Sequence, residues 1–208
     1  ETISPARNAK KYFEKYNKEK TMQKVSGQLL AELEEESNYI KSVRDMLDIA
    51  SDEITIAEIR DELILSGYIE AKKEKNKKKL PGLSSPLSFI SSDGYEILCG
   101  RNNRQNDELT FKIASKSDIW LHIRNIPGCH TVIKSKNNDV SGQTLLEAAL
   151  LAAHFSKSSN DTKASVDYTQ VKYVKKPSGA KPGMVIYDHF KTIIVEPNKE
   201  IINILKKM

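Results

Sequence analysis

The fold class of this 208-residue chain follows from residues 144–156, TLLEAALLAAHFS. Alanine and leucine occupy most of these positions, so the segment predicts a strong helix that is buried over much of its surface. Short stretches with β-strand patterns surround it. We expect strands at Phe89–Ile90, Tyr95–Cys99, Ile119–Ile123, His130–Lys134 and Ser165–Lys175. One buried helix against several mostly local strands indicates an α+β fold.

Two further elements are expected in the same part of the chain. Residues Asn103–Leu109, within the polar run that follows a predicted strand, favour a short helix. Met184–Tyr187 and Thr192–Val195 are two short apolar stretches separated by a polar turn. They predict a closing hairpin.

A long helix is predicted over residues 5–50. Ser4 and Pro5 form a start signal, with serine at the N-cap and proline at the first helical position. A helix of this length needs a partner for its apolar stripe, so we expect an antiparallel coiled coil or a homodimer. A broken pair of ordinary helices packed on a core is the alternative. The stripe consists of Val25, Leu29, Leu33, Ile40, Val43 and Leu47.

A domain boundary is expected after a second, shorter helix at Ile54–Ile64, for which Gly67 is a plausible stop. A lysine-rich run at 72–79 and the turn formers of 80–86 come next. We therefore divide the chain into a helical arm at 1–70, a basic linker at 71–86 and an α+β domain at 87–208. The lysine run is either a solvated linker or a grip for phosphates.

Composition narrows the class of protein. No run of about 18 apolar residues is present and the N-terminus does not resemble a signal peptide, so we expect no membrane insertion and a cytoplasmic location. Two cysteines fit a reducing compartment. Residues 1–83 contain 16 Lys and Arg and 16 Asp and Glu, so residues 84–208 carry the whole net charge of +5. The second half is therefore the part expected to attract an anion such as RNA.

Catalytic and metal-binding patterns are weak. Cys99, His122, Cys129 and His130 lack the spacings of zinc sites, and adjacent residues on a strand point to opposite faces. There is no GxSxG elbow and no phosphate-binding Walker loop. Asp107 or Asp118 beside His122 is more typical of a structural pair than of a catalytic one. We expect no enzyme activity, metal or cofactor.

A polar cassette at Gly100–Asp107, GRNNRQND, offers the best candidate contacts with RNA. Arginine guanidinium groups bind phosphates, and amides pair with base edges or 2′-hydroxyls. Trp120, Tyr168 and Tyr173 are candidates for stacking on bases. The alternative is that the asparagines cap the turn and helix that hold the arginines. The predicted RNA-binding residues are Arg101, Asn102, Asn103, Arg104, Asn106, His122, Lys172, Lys175, Lys176 and Lys181.

Six segments resemble the C-terminal half of the NFACT family, also called fibronectin-binding protein A-like factors, and they occur in the family's order. They are residues 4–20, 56–69, 100–110 (GRNNRQNDELT), 118–130 (DIWLHIRNIPGCH), 144–156 and 166–187 (VDYTQVKYVKKPSGAKPGMVIY). The resemblance covers nearly the whole chain. It implies a coiled-coil region followed by the family's RNA-binding domain, NFACT-R.

The resemblance implies a role in ribosome quality control. Family members bind the large ribosomal subunit with its rRNA and a stalled, tRNA-linked nascent chain, and they support mRNA-independent alanine tailing at the ribosome's own catalytic centre. Some are also described as adhesins for fibronectin and fibrinogen, displayed on the cell surface without a signal peptide. The upstream coiled-coil partner and tRNA-reading residues have no counterpart here, and Cys129 replaces the usual serine. We therefore do not expect this chain alone to tail peptides.

Overall fold

The computed structural model describes residues 4–50, 52–70, 84–136, 139–198 and 200–207. The chain separates into two compact units, Glu1–Ile40 and Lys41–Met208. The lysine-rich run predicted as a linker lies outside the described residues.

The first unit is helical. Helix α1 spans Pro5–Ile49 and confirms the predicted long helix, starting at the expected proline. Ion pairs between Lys10 and Glu14 (3.9 Å) and between Lys15 and Glu19 (3.8 Å) lie along its surface. The apolar side chains of the first unit that are more than half exposed are Tyr12, Phe13, Tyr16, Met22, Val25, Leu29, Leu30 and Leu33. The predicted coiled-coil partner or homodimer stays a prediction.

The second unit begins with the last turns of α1 and continues into α2, Glu53–Leu65. Asp52 caps α2, and its side chain accepts a hydrogen bond of 2.8 Å from the Thr55 amide. Gly67 follows the helix with φ of 79°, a left-handed conformation that favours glycine, and confirms the predicted stop. By its contacts α2 belongs with the residues of the sheet.

A seven-stranded antiparallel sheet forms the centre of this unit, in the order β8-β5-β3-β4-β2-β1-β9. A separate hairpin pairs β6 with β7. The strands are β1 Leu87–Ile90, β2 Glu96–Cys99, β3 Ile119–Ile123, β4 Thr131–Ile133, β5 Ala164–Gln170, β6 Val174–Lys175, β7 Ile186–Tyr187, β8 Lys191–Val195 and β9 Lys206–Lys207. The remaining helices are α3 Asn103–Glu108, α4 Gly142–His154 and α5 Ile201–Ile204. A single π-helical turn, Leu109–Ile113, extends α3.

The two faces of the sheet have different coverings. Helix α4, the predicted alanine-rich segment, packs on one face, where Leu121 and Val166 join its alanines in the larger core. The other face carries Trp120 and Val132, covered by Leu109 of the π turn and Val174 of the β6–β7 hairpin. This alternation places residues 120 and 122 of β3 on the second face. The α+β prediction is confirmed.

Two strand predictions are wrong. The segment Ser165–Lys175 is not one strand, because a 3-10 turn at Val171–Tyr173 separates β5 from β6. The predicted closing hairpin does not form: β7 pairs with β6, and β8 pairs with β5. Glycines with positive φ in the loop after β6 favour the local β6–β7 hairpin, and His189 with φ of 51° redirects the chain to the sheet edge. Helix α5 and strand β9 were not predicted, since each is too short to show a periodic pattern.

No helix among the described residues is long and apolar enough to cross a membrane.

Candidate nucleic-acid interface

The polar cassette lies in the buried contact between α2 and the start of α3. Asn102 is the N-cap of α3, and its Oδ1 accepts a hydrogen bond of 2.9 Å from the Gln105 amide. Glu58 of α2 accepts hydrogen bonds from Asn102 Nδ2 (2.6 Å), from Gln105 Nε2 (2.9 Å) and from the Ser84 amide. Asn102 and Gln105 are almost completely buried, as is Glu58. The cassette therefore attaches α2 to the sheet.

The other two asparagines are also structural. Asn106 Oδ1 accepts from the His130 amide (2.9 Å), and its Nδ2 donates to the Gly128 carbonyl (3.2 Å). Asn103 Nδ2 donates to Ser42 Oγ (3.0 Å) and to the buried carboxylate of Glu62 in α2 (3.3 Å). A side chain at Gly100 would collide with Asn106 Oδ1, so the backbone approaches closely here.

The assignment of Asn102, Asn103 and Asn106 as direct RNA contacts is corrected by this burial. Their relative exposures are 0%, 4% and 1%, and their amides already have partners inside the protein. Asparagine side chains are well suited to hydrogen-bond backbone groups at helix caps and turns, which accounts for their frequency in the cassette.

The two arginines of the cassette point to different places. Arg101 lies 3.6 Å from the carboxylate of Asp52 and donates to the Ser85 carbonyl (3.0 Å). It lines an apolar cleft of about 550 Å³ together with Phe89 and Phe155. The pKa of Asp52 is lowered, first by the Thr55 amide hydrogen bond and to a smaller extent by Arg101. Arg101 thus helps to hold α2 against the cassette, through the residue that caps this helix.

Arg104 borders a second groove, of about 410 Å³, together with Lys112, Lys176 and Pro182. Asp107 connects its two sides, since it forms an ion pair with Lys176 and accepts from the Gly183 amide (3.0 Å). Helix α3 and the loop after β6 therefore meet here. The structure therefore places Arg104 in one groove with Lys176, one member of the predicted second basic cluster.

The rest of the basic cluster lies along the same hairpin. Lys172 and Lys175 are exposed, and the Lys172 ammonium lies 4.8 Å from the centre of the Tyr173 ring. Lys181 Nζ lies 5.2 Å from the centre of the Tyr68 ring. We name Arg104, Lys172, Lys175 and Lys176 the basic rim.

His122 lies on the second face of the sheet. Its ring is nearly parallel to Trp120, with centroids 5.7 Å apart, and meets His130 edge-on at 5.4 Å. Burial lowers the pKa of His122 to about 4, against smaller raising effects of the Gly128 carbonyl and Asp167. Burial, and then the neighbouring His122, lower the pKa of His130 well below its usual value. Both rings are therefore neutral at physiological pH and supply shape rather than charge to this region.

Acidification is expected to destabilise the folded protein between about pH 6.5 and pH 4. The unfolded chain protonates His122 near pH 6.5, whereas the folded chain resists protonation until about pH 4. Stability is thus fully present above pH 6.5 and falls as pH decreases through that window. Urea unfolding measured against pH checks this, with His122→Asn as comparison. A pH profile equally steep in His122→Asn and its parent contradicts the assignment.

Several residues on this face were missed from the sequence. Asp167 of β5 is buried and accepts from Tyr187 OH (2.9 Å) and Thr192 Oγ1 (2.6 Å), with Arg124 Nε 3.8 Å away. Burial and the Asp167 hydrogen bond raise the pKa of Tyr187 to about 12. Phe190 packs edge-on against Tyr187 at 5.2 Å. The alternation of β5 was a signal for Asp167, but nothing in the sequence indicated its partners.

The cysteines occupy the opposite face. Cys99 and Cys129 are buried, and both sulfurs lie close to Thr131 Oγ1, at 3.6 Å and 3.3 Å. Within the described part of the chain, no group of three or more His, Cys, Asp or Glu residues is placed to hold a metal ion.

Comparison with known proteins identifies two family models and a solved structure that match this chain. Residues 86–188 match the family model described as NFACT protein RNA binding domain, and residues 1–81 match NFACT N-terminal and middle domains. A solved structure of the C-terminal part of the fibronectin/fibrinogen-binding protein from Streptococcus suis superposes with a TM-score of 0.90 at 39% identity. The match covers 99% of this chain and 81% of that one.

Curated relatives named "Rqc2 homolog RqcH" extend the comparison. The Bacillus subtilis protein is 42% identical over 98% of this chain, and the Streptococcus suis protein is 41% identical over 98%. The alignments cover 35% and 36% of those proteins, so the chain spans about a third of their length. The chain has an α+β RNA-binding-type domain preceded by a helical segment. It belongs to the NFACT family.

Proposed function

We propose that this chain is the RNA-binding portion of a ribosome-quality-control factor. In this proposal the whole protein binds large ribosomal subunits that carry a stalled, tRNA-linked chain, and it supports alanine tailing without mRNA. The match of residues 86–188 to an RNA-binding domain and the similarity to the curated relatives support it. The protein contributes binding and positioning, and the ribosome performs the peptidyl transfer, so the chain itself is not an enzyme.

The observation that carries the proposal is the basic rim. Arg104 comes from α3, whereas Lys172, Lys175 and Lys176 come from the hairpin segment, and Asp107 holds the two together. Lys172 and Lys175 are exposed, and neither forms an ion pair with a carboxylate among the described residues. Arg104 and Lys176 line one groove, and Lys172 and Lys175 lie nearby in the chain, so cations from two elements are available for the spaced phosphates of an RNA backbone. The buried asparagines set the position of Arg104 rather than contacting the ligand.

Replacing Arg104 and Lys175 together by alanine is expected to weaken binding to tRNA by about tenfold at moderate salt. The salt dependence should become shallower, by about one unit of slope per lost phosphate contact. Fluorescence anisotropy with labelled tRNA at several salt concentrations measures both effects. The double variant Lys136→Ala, Lys163→Ala removes the same charge from exposed positions elsewhere and should retain most of the affinity. Equal losses of tRNA affinity in both double variants would mean that the basic rim acts only through general charge attraction.

A second candidate function is binding of fibronectin or fibrinogen. It is favoured by one observation, the high structural similarity to a protein named for that activity. Immobilised fibronectin separates the two candidates, because saturable binding that is indifferent to salt and to the Arg104 and Lys175 changes favours an adhesin. Loss of that binding in high salt favours nonspecific attraction.

A further inference from the structure

Three rings stand at the surface where the β6–β7 hairpin meets β8. Phe190 is 42% exposed, His189 is exposed, and Tyr173 is half-buried. The Tyr173 and His189 rings lie 4.5 Å apart at 48°. We name these three residues the ring platform. An aromatic side chain left in water gains no burial, so a group of them at one tip indicates a contact surface.

The ring platform is held rigidly from below. Phe190 packs edge-on against Tyr187, and Tyr187 packs against the fully buried Trp120 with centroids 4.9 Å apart. Thr169 Oγ1 lies within hydrogen-bonding distance of the carbonyls of Asp188 (3.0 Å) and His189 (3.3 Å). Rings fixed in this way lose little conformational entropy when a flat ligand stacks on them.

Positive charge surrounds the rings. The guanidinium of Arg124 lies 5.8 Å from the centre of the Phe190 ring and is positioned by Asp167. The ammonium of Lys172 lies over Tyr173, and Lys175 and Lys191 are exposed on the flanking strands. Asp188 is the exposed acid at the tip itself. Aromatic rings interleaved with cations match the bases and phosphates of one nucleic-acid strand.

We propose that the ring platform stacks on unpaired bases of single-stranded RNA, with Phe190 as the principal ring. This rests on the proposed RNA-binding function and specifies the form of RNA that the domain recognises. Bases inside a duplex are already stacked and their faces are covered, so only a loop, a bulge or a free end presents a base face to Phe190. The lysines of the basic rim, on the same hairpin segment, receive the phosphates of that strand.

The test compares a single-stranded 12-nucleotide uridine RNA with a fully paired duplex of equal length, by anisotropy. Phe190→Ala is expected to weaken single-strand binding by about tenfold and duplex binding by less than about twofold. Phe190→Tyr should retain the affinity, whereas Phe190→Leu, apolar but unable to stack, should lose it. Ile204→Ala removes a 60% exposed apolar side chain from α5 and should change neither affinity.

Four outcomes overturn the proposal: unchanged single-strand affinity in Phe190→Ala, equal losses for strand and duplex, full affinity in Phe190→Leu, or no single-strand binding by the parent protein. The proposed function is judged separately by tRNA binding and its dependence on Arg104 and Lys175. Binding of tRNA that needs the basic rim but not Phe190 would leave the proposed function standing and remove the ring platform. Equal urea midpoints for parent, Phe190→Ala and Phe190→Leu exclude misfolding as the cause.

Discussion

Replacing Glu58 by alanine is expected to reduce the free energy of unfolding by about 3 to 5 kcal/mol. Asn102 Nδ2 and Gln105 Nε2 both donate to its carboxylate, and both amides are buried. Removing the acceptor takes away the carboxylate partner of the buried Asn102 amide, and an unpaired buried donor costs about 1–3 kcal/mol. Gln105 Nε2 loses one charged acceptor and keeps its hydrogen bonds to Ser84. The neighbouring hydrogen bond from the Ser84 amide is lost as well. Urea unfolding followed by circular dichroism measures the change.

Glu53→Ala is the matched control for this measurement. It removes the same kind of carboxylate from an exposed position in the first turn of the same helix. We expect a loss below about 1 kcal/mol, from the helix dipole alone. A loss of similar size for Glu58 and Glu53 would mean that α2 is not attached through the cassette.

The second large effect is expected at Trp120. Its side chain is completely buried between the sheet and the β6–β7 hairpin, so Trp120→Ala should cost about 3 to 5 kcal/mol by opening a cavity. Trp120→Phe should cost much less. The indole Nε1 is buried and makes no hydrogen bond with the described residues, so its removal relieves an unsatisfied donor. Far-UV circular dichroism is the appropriate probe, because both changes delete the only tryptophan.

The ordering of these two variants separates packing from hydrogen bonding. A phenylalanine variant as unstable as the alanine variant would mean that the indole N–H has a partner or that the cavity cannot relax. Tyr187→Phe provides a further comparison within the same cluster, since it removes the hydrogen bond to Asp167 while keeping the ring.

Elements with a strong periodic signal could be predicted from the sequence. Helix α1, helix α2 with its glycine stop, strand β3 and the alanine-rich helix α4 all follow from local patterns. The closing hairpin was predicted wrongly because strand pairing depends on partners distant in sequence. Met184–Tyr187 is as compatible with β6 as with β8, and only tertiary packing selects between them.

The candidate site divides in the same way. Residue type indicated two basic clusters, the cassette and the lysine loop, and in the structure Asp107 joins them. Orientation could not be read from the sequence: Arg101 and Arg104 are three positions apart, yet one reaches α2 and the other the lysine loop. An asparagine that caps a helix and one that binds a base look identical as letters. Their burial alone decides between the two roles.

The attachment of α2 also bears on where this protein can be cut. The two family models meet between residues 81 and 86, yet Glu58 hydrogen-bonds across that junction to Asn102 and Gln105. A fragment that starts at residue 86 would contain the complete RNA-binding homology region but would lack α2. The amides of Asn102 and Gln105 would then have lost their carboxylate acceptor. We therefore expect a fragment that starts near Lys41, where the second compact unit begins, to be more stable than one that starts at residue 86.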